Sequence, residues 1–286
     1  MSPVLAALCI TLAAPTPELR ADREPGLTYR PFAGEAADAR LRVRVEDAPA
    51  GATLIAEPSA GAPLVFSAPG APPLPYRLST DETRPSGTDD RLLVRLVTDG
   101  DGAAETVVRL LVDAGPVVPP GTYDAALDLR VVAEDGTVLS ELLAVPAAID
   151  VAARSQVVLA GTSGAFDPQS SVGFVDFGTL ETGETRRLFV AVRANTQTVM
   201  TVTSENAGVM TLRGEERAAV PDAPGVSYTV DLDGTVSDLA VPLEVVRAPP
   251  LTAAGAAYPF VITIGDVSNL FAGTYRDDIV IDVRPQ

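Results

Sequence analysis

Carboxylates are the side chains of this chain whose types and spacing could do chemistry. They form two clusters: Asp99, Asp101 and Glu105, and Asp231, Asp233 and Asp238. Such clusters could bind calcium, and a close pair could act as the acid and base of a glycosidase. The spacing does not match an EF-hand loop, which needs more oxygen ligands at fixed positions. Because a chain with 38 acidic residues contains such pairs by chance, we interpret them as solvated turns and expect neither a metal site nor a catalytic residue.

The composition removes most other catalytic chemistry. The chain has no His, and all 21 of its basic residues are Arg, so the commonest general base and metal ligand is missing. Cys9 is the single cysteine, which excludes a disulfide within the chain. We therefore expect a protein that is not an enzyme and holds no cofactor. The net charge of −17 argues against nucleic acid or an anionic membrane surface as a partner, because both are negatively charged.

Two tyrosines belong to a motif that occurs twice. Gly121-Thr122-Tyr123 recurs 152 positions later as Gly273-Thr274-Tyr275, and Tyr76 and Tyr228 have the same separation. A repeat of this length is a whole domain. The hydroxyls of Tyr123 and Tyr275 could bind a ligand. A Gly followed closely by Tyr is more typical of a turn that enters a strand, with the ring packed at a corner of a sandwich.

Apolar and polar residues alternate with period two through both copies of the repeat, which indicates short β-strands. The best examples keep the separation of 152: Val108/Leu110/Val112 with Phe260/Ile262/Ile264, and Leu127/Leu129/Val131 with Ile279/Ile281/Val283. A strand is also predicted at Phe174-Val175-Asp176-Phe177-Gly178. No segment carries a sustained apolar stripe of helical period. We predict an all-β protein of two tandem immunoglobulin-like β-sandwiches.

The chain divides into four parts on this interpretation. Residues 1–14 contain an apolar run whose length suits a signal peptide rather than a membrane span, although no basic residue precedes it and a strand remains the alternative. Residues 15–36 lack alternation and are expected to form an extended or disordered leader. The first sandwich is expected at 37–153 and the second at 154–286. Since the apolar run suits a signal peptide, we expect an exported protein. No later segment is long enough to cross a bilayer.

The two copies end differently. The first continues beyond Val131 through an Asp135-Gly136 hairpin turn to a returning segment, 138–151, whereas the second ends at Gln286, three residues beyond Val283. We therefore expect the second sandwich to lack its last strand, which leaves an unpaired edge and an apolar groove that a strand from another polypeptide could fill. The expected groove residues are Val157, Leu159, Ile279, Ile281 and Val283. The alternative is an ordinary last strand in a sandwich that another segment already closes.

Several short motifs of the second copy resemble one family of bacterial proteins. They are Phe177-Gly178-Thr179-Leu180 followed by Gly183, then Ser204-Glu205-Asn206, Tyr228, and Gly273-Thr274-Tyr275 with Ile279-Val280-Ile281. Together they resemble the spore coat protein U-type pilin domain of archaic chaperone–usher pili. The resemblance covers the second copy and reaches the first mainly through the internal repeat. It implies an incomplete, pilin-type immunoglobulin-like fold, held first by a periplasmic chaperone and later by the donor strand of another pilus subunit after passage through an outer-membrane usher.

The sequence departs from that family in two ways. Many members carry a disulfide, which this chain has no cysteines to form, and residues 15–31 lack the alternation of a donor strand. A subunit that accepts a strand and donates none belongs at the tip, so the resemblance implies a secreted, non-enzymatic pilus subunit with the layout of a tip adhesin. Two alternatives remain open. A periplasmic pilus chaperone would need a basic cleft, and an extracellular carbohydrate-binding sandwich would normally show more aromatic residues than the 5% found here.

Overall fold

The computed structural model describes residues 16–26, 28–80, 90–160, 173–214, 220 and 223–286. It confirms the predicted all-β class, and the chain forms two compact units. Unit 1 comprises the chain up to Tyr29, Ala36–Asp113 and Thr122–Asp150; unit 2 comprises Arg30–Glu35, Ala114–Gly121 and Val151–Gln286. The expected signal peptide, 1–14, lies outside the described residues. The described chain contains no helix that is long and apolar enough to span a membrane.

Unit 1 is a sandwich of two four-stranded sheets. Its strands are β1 (Glu18–Glu24), β2 (Ala37–Glu46), β3 (Thr53–Pro58), β4 (Val65–Phe66), β5 (Leu74–Pro75), β6 (Arg77–Thr80), β7 (Leu92–Arg95), β8 (Ala104–Val112), β9 (Gly121–Val132) and β10 (Leu143–Val151). The sheet orders are β1-β2-β8-β6 and β10-β9-β3-β7, while β4 and β5 form a separate pair. These orders match the ABED and GFC sheets of an immunoglobulin domain, with β7 added beside β3. The alternating apolar residues of β2, β8 and β9 face inward and are buried.

The structure corrects the expectation of a leader at 15–36. Within that segment, β1 pairs antiparallel with β2, from Glu18 opposite Glu46 to Glu24 opposite Arg40. Main-chain hydrogen bonds hold this edge strand, together with a cross-strand ion pair in which Arg42 Nε donates to Glu24 Oε1 at 2.6 Å. A strand held in this way needs no alternating apolar residues, which is why the sequence pattern did not reveal it.

β10 closes unit 1 from within the chain. The Leu139 N–H donates to the Val131 carbonyl at 2.9 Å, and the Thr122 hydroxyl donates to the Asp150 carboxylate at 2.7 Å. Contacts at these two ends set β10 antiparallel to β9. On its other side, the Tyr29 N–H donates to the Asp150 carbonyl at 2.8 Å. The inward side chains of β10 are buried in the core: Val145, Ala147, Ile149 and Val151.

Unit 2 repeats this architecture. Its strands are β11 (Ser155–Ala160), β12 (Thr185–Ala194), β13 (Thr198–Ser204), β14 (Val209–Leu212), β15 (Val226–Leu232), β16 (Thr235–Ser237), β17 (Leu243–Arg247), β18 (Ala256–Ile264), β19 (Tyr275–Arg276) and β20 (Ile279–Pro285). The sheet orders are β11-β12-β18-β15-β14-β19, with β16 beside β15, and β17-β13-β20. The bounds of β8 and β18 differ by 152 at both ends, as the repeat predicts.

The second sheet of unit 2 has one strand fewer than its counterpart. The order β17-β13-β20 corresponds to β7-β3-β9 of unit 1, and the described residues provide no strand in the position of β10. In immunoglobulin terms, the strand without a counterpart is G.

The expected strand at Phe174–Gly178 is corrected by the structure. The segment pairs with none of the described strands. Its Gly178 N–H donates instead to the Asp176 carboxylate, within the segment itself, at 2.8 Å. Val175 and Phe177 nevertheless pack against the core of unit 2. The alternation of apolar residues in this segment therefore reflects the packing of Val175 and Phe177, and it does not indicate a paired strand.

Candidate functional site

The outer edge of β20 is the open edge of the second sheet in unit 2. β20 pairs with β13 from Ile279 opposite Ser204 to Pro285 opposite Thr198, and the part of the chain that the structure describes pairs no strand with its other side. On that outer side, the Ser155 hydroxyl of β11 donates a hydrogen bond to the Val283 carbonyl at 3.1 Å. An edge with free N–H and C=O groups is a template for another strand.

Beyond this contact, β11 and β20 border a cavity of about 1080 Å³. The strands of the first sheet contribute a largely apolar part of its lining: Leu188, Met210, Tyr228, Phe260 and Ile262. The groove is therefore a cleft between the two sheets, open along the side that β10 covers in unit 1.

Four of the five groove residues expected from the sequence line this cavity: Val157, Leu159, Ile279 and Ile281. Val283 does not, and it lies beside the cavity where β20 meets β11. All five are half-buried and pack against the core cluster of unit 2. Their role as acceptors of a strand stays a prediction.

The corresponding residues of unit 1 are more deeply buried. Leu127, Leu129 and Val131 of β9 are 0% exposed, whereas Ile279, Ile281 and Val283 are each half-buried. The two triplets have the same spacing and the same place in the repeat. Because β10 lies along the outer side of β9 and no described strand lies along the outer side of β20, the missing neighbour accounts for the difference.

Two further walls of the groove were not foreseen. One is the segment from Gly173 to Leu180, and the other is the segment from Leu270 to Asp278. The first is fixed where the Arg186 guanidinium lies 5.2 Å from the centre of the Phe177 ring and donates to the Asp176 carbonyl at 3.4 Å. The second is fixed by Tyr275, whose hydroxyl accepts from the Phe271 N–H at 3.2 Å and donates to the Phe271 carbonyl at 3.1 Å.

The Asp277 carboxylate anchors the turn between β19 and β20. It accepts hydrogen bonds from the Ser204 hydroxyl at 2.5 Å, the Tyr228 hydroxyl at 2.6 Å and the Asn206 side-chain amide at 2.8 Å. Desolvation is the largest influence on its pKa and pushes it upward, but these hydrogen bonds together hold the pKa below its ordinary value. Burial, reinforced by the Asp277 carboxylate, raises the pKa of Tyr228 well above its ordinary value. The pair is therefore a charged acceptor and a neutral donor, and it fixes where the edge strand begins.

The repeat contained a signal for these missed residues. Asp277 stands where the first copy of the repeat has Ala125, and Phe271 stands where the first copy has Pro119. Both differences lie next to the shared Gly-Thr-Tyr motif. Aligning the two copies residue by residue, and asking where polarity or size changes, would have pointed to this end of the groove.

The other residues considered from the sequence have structural roles. The Asp99 carboxylate accepts from the N–H groups of Asp101 at 3.0 Å and Ala103 at 2.9 Å, and Asp231 accepts from the Gly234 N–H at 2.7 Å. Such contacts are typical of turns. Within the described residues, no group of three or more Asp, Glu, His or Cys is placed to hold a metal ion.

The tyrosines of the repeated motif make contacts within the protein. Tyr123 is buried in unit 1, and the Tyr275 hydroxyl is occupied by the backbone of Phe271.

No protein-family model matches the chain, and none of the curated proteins matches it. Among solved structures, it is similar to the CsuC–CsuE chaperone–tip adhesion subunit pre-assembly complex from archaic chaperone-usher Csu pili of Acinetobacter baumannii, with 16% identity and a TM-score of 0.43 over 81% of this chain and 84% of that chain. The CupB6 tip adhesin from Pseudomonas aeruginosa is similar with 13% identity and a TM-score of 0.34 over 93% of each chain.

Self-complemented MyfA, the major subunit of Myf fimbriae from Yersinia enterocolitica, is similar with 17% identity and a TM-score of 0.35 over 47% of this chain and 98% of that chain. At these identities and TM-scores, none of the similarities assigns the chain to a family.

Proposed function

We propose that this chain is an exported, non-enzymatic subunit of a bacterial surface pilus, and that its second domain binds a β-strand from another polypeptide in the groove between β11 and β20. One observation carries the proposal. The inward residues of β20 are half-buried, whereas the equivalent residues of β9 are fully buried under β10. A sandwich that leaves apolar side chains and a strand edge open at the same place is built to accept a strand there.

Unit 1 supplies a template for the strand that fits. β10 presents Val145, Ala147, Ile149 and Val151 to the core at alternate positions, and it runs antiparallel to β9. A strand that completes unit 2 in the same way would run antiparallel to β20 and place small or medium apolar residues at every second position. Its main chain would satisfy the free groups of the β20 edge, and its side chains would fill the cavity.

Several of the motifs that resemble the spore coat protein U family line this groove. Phe177–Leu180 forms part of one wall, and Gly273–Tyr275 forms part of the other. This placement supports a finer proposal, in which the chain is a subunit of spore coat protein U type. A periplasmic chaperone would occupy the groove first, an outer-membrane usher would export the subunit, and another pilus subunit would then supply the strand. Because residues 18–24 already pair with β2 in unit 1, this segment is not available as a donor strand, and we propose a place at the pilus tip.

The alternative of a pilus chaperone is disfavoured by the charges in the groove. Its charged lining residues are Asp176, Arg276, Asp277 and Asp278, and Arg276 is paired with Asp278 at 2.8 Å. A cleft that anchors the terminal carboxylate of another protein needs free positive charge instead.

A graft within the chain tests the proposal. A copy of segment 133–151 would follow Arg284 directly, in place of Pro285 and Gln286, so that unit 2 receives its own copy of β10. The repeat assigns this place to it, because Arg284 is the equivalent of Val132. We expect the melting temperature of unit 2 to rise by about 10 °C or more, because several apolar side chains become buried. The measurement is hydrogen exchange of the β18 amides during thermal unfolding, which reports on unit 2 alone.

Two matched grafts serve as controls. Aspartates at the copies of Val145 and Ile149, which face inward, should abolish the gain in melting temperature. Aspartates at the copies of Ala144 and Ala148, which alternate with them, should largely keep it. If the unmodified graft leaves unit 2 no more stable than before, the groove is not a strand-binding site and the proposal is wrong.

A further inference from the structure

Two phenylalanine rings are exposed to solvent on opposite walls of the groove. Phe174 is 85% exposed on the wall that follows β11, and Phe271 is 49% exposed on the wall that precedes β19. Among the large hydrophobic residues that are exposed in the described part of the chain, these are the only aromatic ones, and both line the same cavity. Single exposed apolar residues need no explanation, but two rings facing one open apolar cleft indicate a contact surface.

The backbone beneath each ring is held in place. At Gly173, a Cβ atom would lie 3.5 Å from Leu159 Cδ1, so the chain passes close against β11 just before Phe174, and the next residue, Val175, packs into the core. On the opposite wall, both backbone polar groups of Phe271 are bonded to the Tyr275 hydroxyl. The backbone that carries each ring is therefore restrained, which reduces the entropy lost when the rings bury against a partner.

The two copies of the repeat differ at this wall. The position of Phe271 is occupied in the first copy by Pro119, two residues before the Gly-Thr-Tyr motif. β10 is joined covalently to β9, so unit 1 needs no affinity to retain it. A strand from another polypeptide must be held by contacts alone, and buried aromatic residues are the commonest source of such binding energy.

Resting on the proposed function, we propose that Phe174 and Phe271 contact the incoming strand directly from the two walls and become buried when it binds. The two rings increase the affinity for an extended peptide. They pack over the peptide after its inward side chains have entered the cavity. They are not core residues of unit 2, because the fold forms with both rings exposed.

The absence of Trp from the chain makes a direct test possible. Phe174→Trp and Phe271→Trp each introduce a single indole on one wall. In the chain that carries the 133–151 graft, we expect the emission of each to shift to shorter wavelength, and quenching by iodide to fall, relative to the same variant without the graft. Val236→Trp is the matched control, because Val236 is exposed on β16 and does not line the cavity; its emission should not change.

A kinetic measurement adds a second readout. With a synthetic peptide of the sequence 143–151 as the probe, Phe271→Ala should speed peptide dissociation about tenfold, while Val236→Ala should leave it unchanged. Unchanged emission of both indoles in a graft that does raise the melting temperature would overturn this inference and leave the proposed function standing. A graft that raises nothing would overturn both.

Discussion

The Tyr228 hydroxyl donates a hydrogen bond of 2.6 Å to the Asp277 carboxylate, and this contact joins β15 of one sheet to the start of β20 in the other. Ser204 and Asn206, at the end of β13, donate to the same carboxylate. The turn before β20 is thus tied to both sheets. In a sandwich whose second sheet ends at β20, this tie keeps the edge strand in place while its outer side is open.

Removal of the Asp277 carboxylate should destabilise unit 2. Asp277→Ala leaves the donors of Ser204, Tyr228 and Asn206 without their acceptor in a half-buried site, and we expect a loss of about 1–3 kcal/mol in the free energy of unfolding. Urea denaturation, followed by hydrogen exchange in β18, measures it. Asp278→Ala is the control, since its ion pair with Arg276 is exposed and is worth about 0–1 kcal/mol. Equal losses in the two variants would contradict the anchoring role.

The same carboxylate should make unit 2 sensitive to acid. The pKa of Asp277 in the fold lies below its ordinary value of 3.8, so its contribution to stability is fully present above that pH. As the pH falls through the lower pKa of the folded state, the carboxylate is protonated and the contribution is lost. We expect the difference in unfolding free energy between the native chain and Asp277→Ala to shrink below about pH 4. A difference that stays constant down to about pH 3 would exclude this charge as its source.

Leu129 and Ile281 allow a direct comparison of the closed and the open sheet. The two residues are 152 positions apart, and Leu129 is fully buried under β10 while Ile281 is half-buried at the groove. We expect Leu129→Ala to cost about 2–5 kcal/mol in the stability of unit 1, and Ile281→Ala to cost about 1 kcal/mol in that of unit 2. Exchange of the β8 and β18 amides reports on the two units separately. Similar costs would mean that unit 2 is already closed.

The positions of many strands could be read from the sequence because inward residues alternate along them. β8 and β18, or β9 and β20, follow from apolar residues at every second position, and the separation of 152 identifies them as equivalents. The same reasoning placed Val157, Leu159, Ile279 and Ile281 on one groove, since edge strands of adjacent sheets face each other across the open side.

What could not be read depends on backbone pairing and on irregular segments. β1 is a strand because β2 offers it an edge, and its mostly charged side chains carry no periodic signal. Phe174–Gly178 shows the reverse, since its alternation comes from packing of Val175 and Phe177 without any ladder. Phe174 and Phe271 lie outside the regular strands, where the alternation of apolar and polar residues does not indicate which side chains are exposed.

Opening unit 1 should convert it into a strand acceptor. Replacing Leu143–Val151 by a Gly/Ser segment of equal length removes β10 while keeping the chain connected, and exposes Leu127, Leu129 and Val131, which are now fully buried. We expect unit 1 to lose most of its stability, because the inward residues of β10 each bury apolar surface. A synthetic peptide of residues 143–151 should restore protection of the β8 amides in a concentration-dependent way, by mass action. The same peptide with aspartate at the positions of Val145 and Ile149 is the control and should not restore protection.

Rescue by the unmodified peptide would show that a sandwich of this type, one strand short, binds a matching strand supplied from outside. If the opened unit 1 regains no protection at any peptide concentration, the strand must be covalently tethered to close the sandwich, and the equivalence between β9 and β20 no longer supports strand acceptance in unit 2.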